Sequence, residues 1–231
     1  MKIRIGLLRK QPTWSIAQFG DYWRDEHGPL AARSVPNLRE YWQNLVTEKS
    51  QRGICFSRGR WDFDGFSELC FDAVDQANLA GFDQAPASLL REDERYFLGG
   101  LHILVAERET FRAVSPERRG TSVKRISLIQ RKPGVSEADF LREWRVHANH
   151  VLRMPGVLGY RQNAVVGREW IKGHPCTYEE LPVDGVVELW LESAEAIDAS
   201  FGSFEGSETM RHADTFLQEI TPFLVEERRI V

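Results

Sequence analysis

The chain repeats itself, and this internal duplication constrains its fold more than any other feature of its 231 residues. The segment SIAQF at 15–19 recurs as SEADF at 136–140, and Trp23-Arg24 recurs as Trp144-Arg145, both at a shift of 121 residues. The segment DGFSEL at 64–69 recurs as DGVVEL at 184–189, at a shift of 120. The sequence therefore predicts two copies of one unit, at residues 1–112 and 122–231. The linker at 113–121 contains SPERRG, which is polar and typical of a turn.

Each copy has the pattern strand, helix, strand, strand, helix, strand. Ile3, Ile5 and Leu7 alternate with other residues at a period of two, as expected of a strand. Ser15 and Ser136 are suited to cap the first helix of each copy. Later strands are predicted at 38–47, 67–71 and 101–107, with counterparts at 158–166, 187–191 and 223–228, and the second helices within 75–96 and 195–217. This order predicts an α+β fold of two ferredoxin-like βαββαβ repeats.

The two faces of each predicted sheet have different expected partners. We expect Ile5 and Leu7 to lie beneath the helices together with Leu69, and Arg4 and Glu68 to lie on the opposite face. Because the opposite face also carries apolar side chains, it is too apolar to remain in water. The two copies are therefore expected to pack sheet to sheet as an intramolecular α+β barrel, a pseudo-dimer.

Composition excludes several classes of protein. The 30 Lys and Arg residues against 34 Asp and Glu give a net charge of −4, which does not favour nucleic acid. The sequence has no apolar run of membrane-spanning or signal-peptide length, so we expect a cytoplasmic protein with no membrane partner. The three cysteines have no metal-binding spacing, and no nucleotide-binding, serine-hydrolase or zinc-protease motif is present. We therefore expect neither a metal nor a cofactor.

A histidine recurs on the apolar face of the first helix in both copies. His27 follows Phe19 and Trp23 at helical spacing, and His147 follows Phe140 and Trp144. Imidazole gives or takes a proton near neutral pH, so the two histidines are candidate catalytic residues. A histidine that only fills the core is the alternative interpretation.

Further residues that recur in both copies are candidates for substrate binding. Arginine suits an anionic or phenolic ligand, and the side-chain amides suit a carbonyl oxygen. The structural alternatives are an arginine–glutamate pair that joins the sheets, amides that fix strand register and tryptophans of the core. The candidates are Arg4 and Arg125, Glu68 and Glu188, Asn44 and Asn163, Trp23 and Trp144, Tyr41 and Tyr160, and also His102.

These motifs resemble the EthD family. The first copy carries the likeness in FGDYWRDEHGPLA at 19–31, PNLREYWQN at 36–44 and DGFSEL at 64–69, and the second in PGVLGYRQN at 155–163 and DGVVELW at 184–190. The resemblance implies a dimeric α+β barrel. EthD-like proteins are associated with ether degradation and polyketide tailoring, and the wider superfamily includes lactone isomerases, cyclases and cofactor-independent monooxygenases. His27 matches the helix histidine of the family, whereas the spacing from Trp144 to His147 is one residue shorter and leaves the direction of His147 open.

Two functions from different classes follow. The first is a cofactor-independent enzyme of a catabolic or polyketide-like pathway, with His27 and His147 exchanging protons with an aromatic, carbonyl or lactone substrate. It would be an isomerase, cyclase, dehydratase or monooxygenase. The alternative is a non-catalytic carrier of a hydrophobic metabolite. Both imply a small apolar or aromatic molecule as partner, and two such chains could form a homodimer.

Overall fold

The structure, a computed structural model, describes residues 1–71 and 85–231. Part of the second helix predicted within 75–96 lies outside the described residues. Among the described residues, no helix has the length and apolar character needed to cross a membrane. The first copy contains β1 (Lys2–Lys10), α1 (Ile16–Tyr22), a π-helical turn (Trp23–His27), α2 (Gly28–Ser34), β2 (Leu38–Glu48), β3 (Gly65–Phe71), α3 (Ala85–Phe97) and β4 (Leu98–Arg112). After α4 (Pro116–Arg119), the second copy contains β5 (Val123–Arg131), α5 (Glu137–Val151), β6 (Gly159–Ile171), β7 (His174–Pro175), β8 (Gly185–Leu191), α6 (Ala194–Gly202), α7 (Phe204–Ala213) and β9 (Leu217–Arg229).

The strands form a closed antiparallel barrel. They are hydrogen-bonded in the order β4-β1-β3-β2-β9-β5-β8-β6, and β6 pairs back with β4 to complete the circle. The short strand β7 pairs with β6. The predicted α+β barrel within one chain is confirmed. The two halves do more than pack face to face, because they also pair edge to edge at β2–β9 and β4–β6. Closure leaves the eight strands without a free edge.

The first helices begin as predicted and then differ by one residue. The Ser15 hydroxyl accepts a hydrogen bond from the Gln18 backbone N–H, and Ser136 does the same for Asp139. In the first copy the π-helical turn Trp23–His27 absorbs the extra residue, while α5 remains α-helical throughout. The two histidines consequently occupy equivalent places despite their different spacing.

Pairing register corrects the predicted faces of β1 and β5. Arg4 lies opposite Leu69, and Ile5 lies opposite Glu68. Residues directly opposite one another share a face, so Arg4 faces the helices while Ile5 and Glu68 face the barrel interior. The same register recurs in the second copy, where Arg125 pairs with Leu189 and Ile126 with Glu188. The expectation that each arginine shares a sheet face with its glutamate was therefore wrong.

A large apolar core fills much of the barrel interior. It is formed by side chains from both copies that are almost fully buried. They include Ile3, Ile5, Leu7, Phe63, Phe66, Cys70, Leu104, Ile126, Leu128, Val183, Val186 and Phe223. Both faces of the barrel wall are therefore buried, one inside the barrel and one beneath the helices.

A glycine at the start of β3 and of β8 lets a tryptophan lie directly on the backbone. A Cβ atom at Gly65 would come within 2.6 Å of the Trp23 ring, and one at Gly185 within 2.3 Å of the Trp144 ring. The glycines thus leave space for each tryptophan between its helix and the barrel wall.

Candidate functional site

Each copy holds a cavity between the outer face of the barrel and its helices. The first has a volume of about 60 Å³ and the second about 50 Å³. Four of the predicted pairs line these cavities at equivalent positions. They are Arg4 and Arg125, Trp23 and Trp144, His27 and His147, and Tyr41 and Tyr160.

The volumes limit what each cavity accepts without rearrangement. A cavity of roughly 150 Å³ is known to hold benzene in a protein core. The present arrangement therefore fits a molecule of only a few heavy atoms, and an aromatic ligand requires lining side chains to move.

His27 is paired with a carboxylate. Its Nδ1 atom lies 2.6 Å from Oδ2 of Asp93, and the other carboxylate oxygen accepts a 2.5 Å hydrogen bond from the Tyr22 hydroxyl. Burial opposes ionisation of Asp93, but the hydrogen bonds from His27 and Tyr22 outweigh it and lower the pKa of this carboxyl. An ionised carboxylate can only accept a hydrogen bond, so Nδ1 carries the proton when His27 is neutral. Nε2 then has a lone pair, and among the described residues it has no hydrogen-bond partner.

Tyr41 supplies a hydroxyl donor in the same cavity. Its oxygen accepts hydrogen bonds of 3.1 Å from Nε1 of Trp23 and of 3.1 Å from Nε2 of Gln43. Burial raises the pKa of Tyr41 above its ordinary value, so the hydroxyl keeps its proton. Because both neighbours donate, the tyrosine proton is available to an acceptor such as a ligand oxygen.

The cations of the first cavity form ion pairs, and the second copy supplies one partner of each pair. Arg4 donates two parallel hydrogen bonds of 2.8 and 2.9 Å to Glu169 of β6. The Lys172 ammonium, which follows β6, lies 2.5 Å from Glu94 of α3. The His27 cavity is thus built by both copies, and each of these cations has a carboxylate beside it.

The second cavity has different chemistry at the position of Asp93. His212 precedes Phe216 by the same four residues by which Asp93 precedes Phe97, and each aromatic ring packs on the cavity histidine. The Nδ1 atoms of His147 and His212 lie 3.1 Å apart. Burial, together with His212 and His150, lowers the pKa of His147 to about 3, so this histidine is neutral at pH 7.

The structure places four predicted residues inside the barrel, where none of them lines either cavity: Glu68, Glu188, Asn44 and Asn163. Nδ2 of Asn44 donates to Glu68 at 2.9 Å, and Nδ2 of Asn163 donates to Glu188 at 2.9 Å. The four side chains form a hydrogen-bonded set that belongs to the centre of the fold.

A buried lysine joins the carboxylates of this set. The Lys124 ammonium lies 2.6 Å from Glu68, 2.9 Å from Glu188 and 2.9 Å from Glu227. Arg108 donates to both Glu68 and Glu188, at 2.6 and 2.5 Å. Burial opposes the charge on Lys124, but the three carboxylates outweigh it and raise the pKa of the lysine. The three carboxylates are close enough to hold a cation, and the Lys124 ammonium is the cation among them.

His102 lies apart from both cavities. Its Nδ1 atom is 2.6 Å from the Trp170 carbonyl oxygen, and its ring lies 4.3 Å from the Trp170 ring. Burial lowers the pKa of His102. This position ties β4 to β6, and His102 itself does not line either cavity.

Sequence reasoning missed Asp93 and its neighbours Tyr22, Glu94 and Lys172. A signal for part of this set was present, because Leu90, Asp93, Glu94 and Phe97 have helical spacing and place two carboxylates on the face that packs towards the barrel. Lys172 comes from the other copy, and no local pattern reveals that contact.

The fold is shared with solved structures of very low sequence identity. A proposed monooxygenase of Fusobacterium nucleatum is similar with a TM-score of 0.63 at 5% identity, over 99% of this chain and 93% of that one. An anthrone oxidase-like protein is similar with a TM-score of 0.62 at 8% identity, over 99% and 92%. A proposed monooxygenase of Lactobacillus acidophilus is similar with a TM-score of 0.55 at 12% identity, over 100% and 94%. These likenesses show the fold.

Sequence comparison identifies the family of both copies. No curated protein matches the chain. The EthD domain matches it twice, at residues 11–100 and at residues 132–219. Together the matches cover most of the chain and fall on either side of the linker between the copies. The protein belongs to the EthD family and carries two EthD domains in tandem.

Proposed function

We propose that the protein is an enzyme that moves a proton on a small carbonyl, lactone or phenolic substrate in the His27 cavity, without an added cofactor. The observation that carries the proposal is the His27–Asp93 pair, with Nδ1 held by a carboxylate at 2.6 Å and Nε2 left as a proton acceptor. A histidine oriented in this way by a carboxylate is suited to general base and general acid catalysis.

The steps use three side chains of the cavity. Nε2 of His27 removes a proton from an acidic C–H or O–H group of the substrate. Tyr41 donates a hydrogen bond to the substrate oxygen on which negative charge develops. Return of the proton to another carbon gives an isomerisation. If the deprotonated carbon instead attacks a second carbonyl carbon of the same molecule, His27 protonates the resulting alkoxide and the product is a cyclised one. Return of the proton to a departing hydroxyl, which leaves as water, gives a dehydration. Asp93 holds the imidazole and stabilises its positive charge after the first step.

The substrate class follows from the lining. Most of the lining is apolar, and its polar side chains include those of Arg4, His27, Tyr41, Ser67, Glu94 and Lys172. Such a cavity suits a small apolar molecule with one or two oxygens. Monooxygenase-type chemistry on that substrate would begin with the same proton removal and would take molecular oxygen as the oxidant, and the similar structures named as proposed monooxygenases are compatible with this class.

We also propose a fold for each copy, based on the order of its strands in the barrel. Within residues 1–112 the strands lie in the order β4-β1-β3-β2, and within 122–231 in the order β9-β5-β8-β6. Both orders are fourth, first, third, second, as in a ferredoxin-like βαββαβ unit. We therefore treat each copy as one ferredoxin-like domain, joined by the linker 113–121.

The test measures ligand binding first and proton exchange second. Phenols, lactones and small ketones are first screened by thermal shift, and each compound that stabilises the protein is then incubated in D₂O and followed by NMR for deuterium incorporation and product. We expect His27→Gln to lower the rate by about 100-fold with little change in binding, because the general base is lost while the apolar lining remains.

His150→Gln is the matched control, since His150 belongs to the other copy and is absent from the lining of both cavities. Binding without exchange or turnover in the unmodified protein would favour the carrier. An undiminished rate in His27→Gln, or no binding across the panel, would contradict the proposal.

A further inference from the structure

The second cavity contains a buried arginine that has no carboxylate partner in the part of the chain that the structure describes. Arg125 is 1% exposed and lines this cavity with His147 and Tyr160. Its hydrogen bonds are to neutral acceptors: the Ser127 hydroxyl at 3.3 Å and the backbone carbonyls of Arg52 and Gln51 at 3.2 Å each. Among the described residues, no carboxylate lies within ion-pair distance of the Arg125 guanidinium.

Arg4, the equivalent arginine of the first copy, has a carboxylate partner. Arg4 is bound in parallel by both oxygens of Glu169. At the corresponding side of the second cavity the chain provides the backbone carbonyls of Gln51 and Arg52. Asp198, whose charge acts on Arg125, is itself held by Arg52 at 2.8 Å. Both copies therefore bury an arginine at the same position, but only Arg4 of the two has a carboxylate counter-ion among the described residues, and the second copy supplies it.

A buried charge without a counter-ion is costly, and an anion bound from solution removes that cost. Three of the five N–H groups of Arg125 are used by the neutral acceptors, which leaves two for a ligand. Burial lowers the pKa of Arg125, since Asp198 compensates only in part and Arg58 acts in the opposite direction. Tyr160 adds a hydroxyl, whose oxygen accepts a 3.0 Å hydrogen bond from Gln162 and whose proton is free for an acceptor.

The rest of the lining defines the body of the ligand. It is mainly apolar and includes Ile129, Val151, Met154, Leu189, Phe201 and Met210. A free phosphate or sulfate would lose its hydration against such side chains without replacement, whereas a carboxylate with an apolar tail would bury that tail. The volume of about 50 Å³ limits the tail to a short chain.

We propose that the second cavity is a binding site for a short-chain carboxylate, which takes the place that Glu169 has beside Arg4. This site is independent of the proton transfer assigned to His27, and either one can fail without the other. His147, neutral beside the carboxylate, supplies a hydrogen bond and no net charge.

Methionine methyl groups report on this cavity directly. The chain has three methionines, of which Met154 and Met210 line the second cavity while Met1 does not. Protein labelled with ¹³C at the methionine methyls is titrated with acetate, propionate, butyrate and benzoate at constant ionic strength. Butyramide is the uncharged control for butyrate, and inorganic phosphate is the control for anions without an apolar tail.

We expect butyrate to shift the Met154 and Met210 signals and to leave Met1 unchanged, with at least tenfold weaker binding of butyramide and of phosphate. Arg125→Met is expected to weaken butyrate binding at least tenfold, and Arg4→Met, at the equivalent position, to leave it unchanged. Equal binding of butyrate and butyramide, binding of phosphate alone, or no shift of either cavity methionine overturns the proposal even if Arg125→Met fails to fold.

Discussion

Replacing Lys124 by methionine is expected to lower the free energy of unfolding by about 3–5 kcal/mol. The lysine is 1% exposed, and its ammonium lies within 2.9 Å of carboxylate oxygens from Glu68, Glu188 and Glu227. Methionine fills a similar volume but removes the cation that separates the three acids. Arg108 remains beside Glu68 and Glu188, but the oxygens that faced the ammonium are left close together and buried. Urea denaturation at pH 7 measures the difference.

Lys132→Met is the matched control. Lys132 is 37% exposed in its side chain and pairs with Asp214 at the surface, where an ion pair contributes about 0–1 kcal/mol. A loss of under 1 kcal/mol in Lys124→Met as well would contradict the assignment of Lys124 as the cation that holds the barrel interior together.

Acidification is expected to destabilise the protein through His147 by about 4 kcal/mol between pH 6.5 and pH 3. Burial and the neighbouring histidines lower the pKa of His147 to about 3 in the folded chain, from the ordinary value of 6.5. Above pH 6.5 both the folded and unfolded chains carry a neutral imidazole, so no penalty arises. Below it only the unfolded chain binds the proton, and each pH unit costs about 1.4 kcal/mol until the folded pKa is reached.

The His147→Gln variant isolates this contribution. Other groups also contribute to the pH dependence, including Asp93, whose pKa is lowered in the folded chain, so the two proteins are compared at each pH. The free energy of unfolding of His147→Gln should fall less steeply from pH 6.5 to pH 4 than that of the unmodified protein. Parallel curves would show that His147 is not excluded from protonation in the folded state.

The duplication made much of the site predictable. A residue that occurs in both copies is expected at equivalent places in the fold. This holds for the pair His27 and His147 and for the pair Trp23 and Trp144. The sequence shows that the tryptophan and the histidine are one residue further apart in the first copy. It does not show that a π-helical turn accommodates this residue, because that depends on how the two side chains pack.

The faces of β1 could not be assigned from alternation alone. Arg4, Gly6 and Leu8 face the helices while Ile3, Ile5 and Leu7 face the barrel interior, and both faces are buried. A period of two separates the two sets of residues but does not show which set faces the helices. Both faces of the strand are buried, so neither is marked by the polar residues that a solvent-exposed face would carry. Register with Leu69 and Glu68 decides it, and register is a tertiary property.

Long-range partners were also beyond local reasoning. Asp93 is 66 residues from His27, and Glu169 is 165 residues from Arg4. The residues beside a candidate side chain determine its chemistry, as the exchange of Asp93 for His212 shows between the two cavities. The sequence identified which side chains to consider, and the packing of α3 and β6 determines what they can do.

The most direct test of the account is the tautomer of His27, measured by long-range ¹H–¹⁵N NMR at a pH where the imidazole is neutral. We expect a proton on Nδ1, held by Asp93, and none on Nε2. This preference should be lost in Asp93→Asn, because an amide no longer requires a donor at Nδ1. A proton on Nε2 in the unmodified protein would contradict the account, because His27 would then present a donor to the cavity in place of a base.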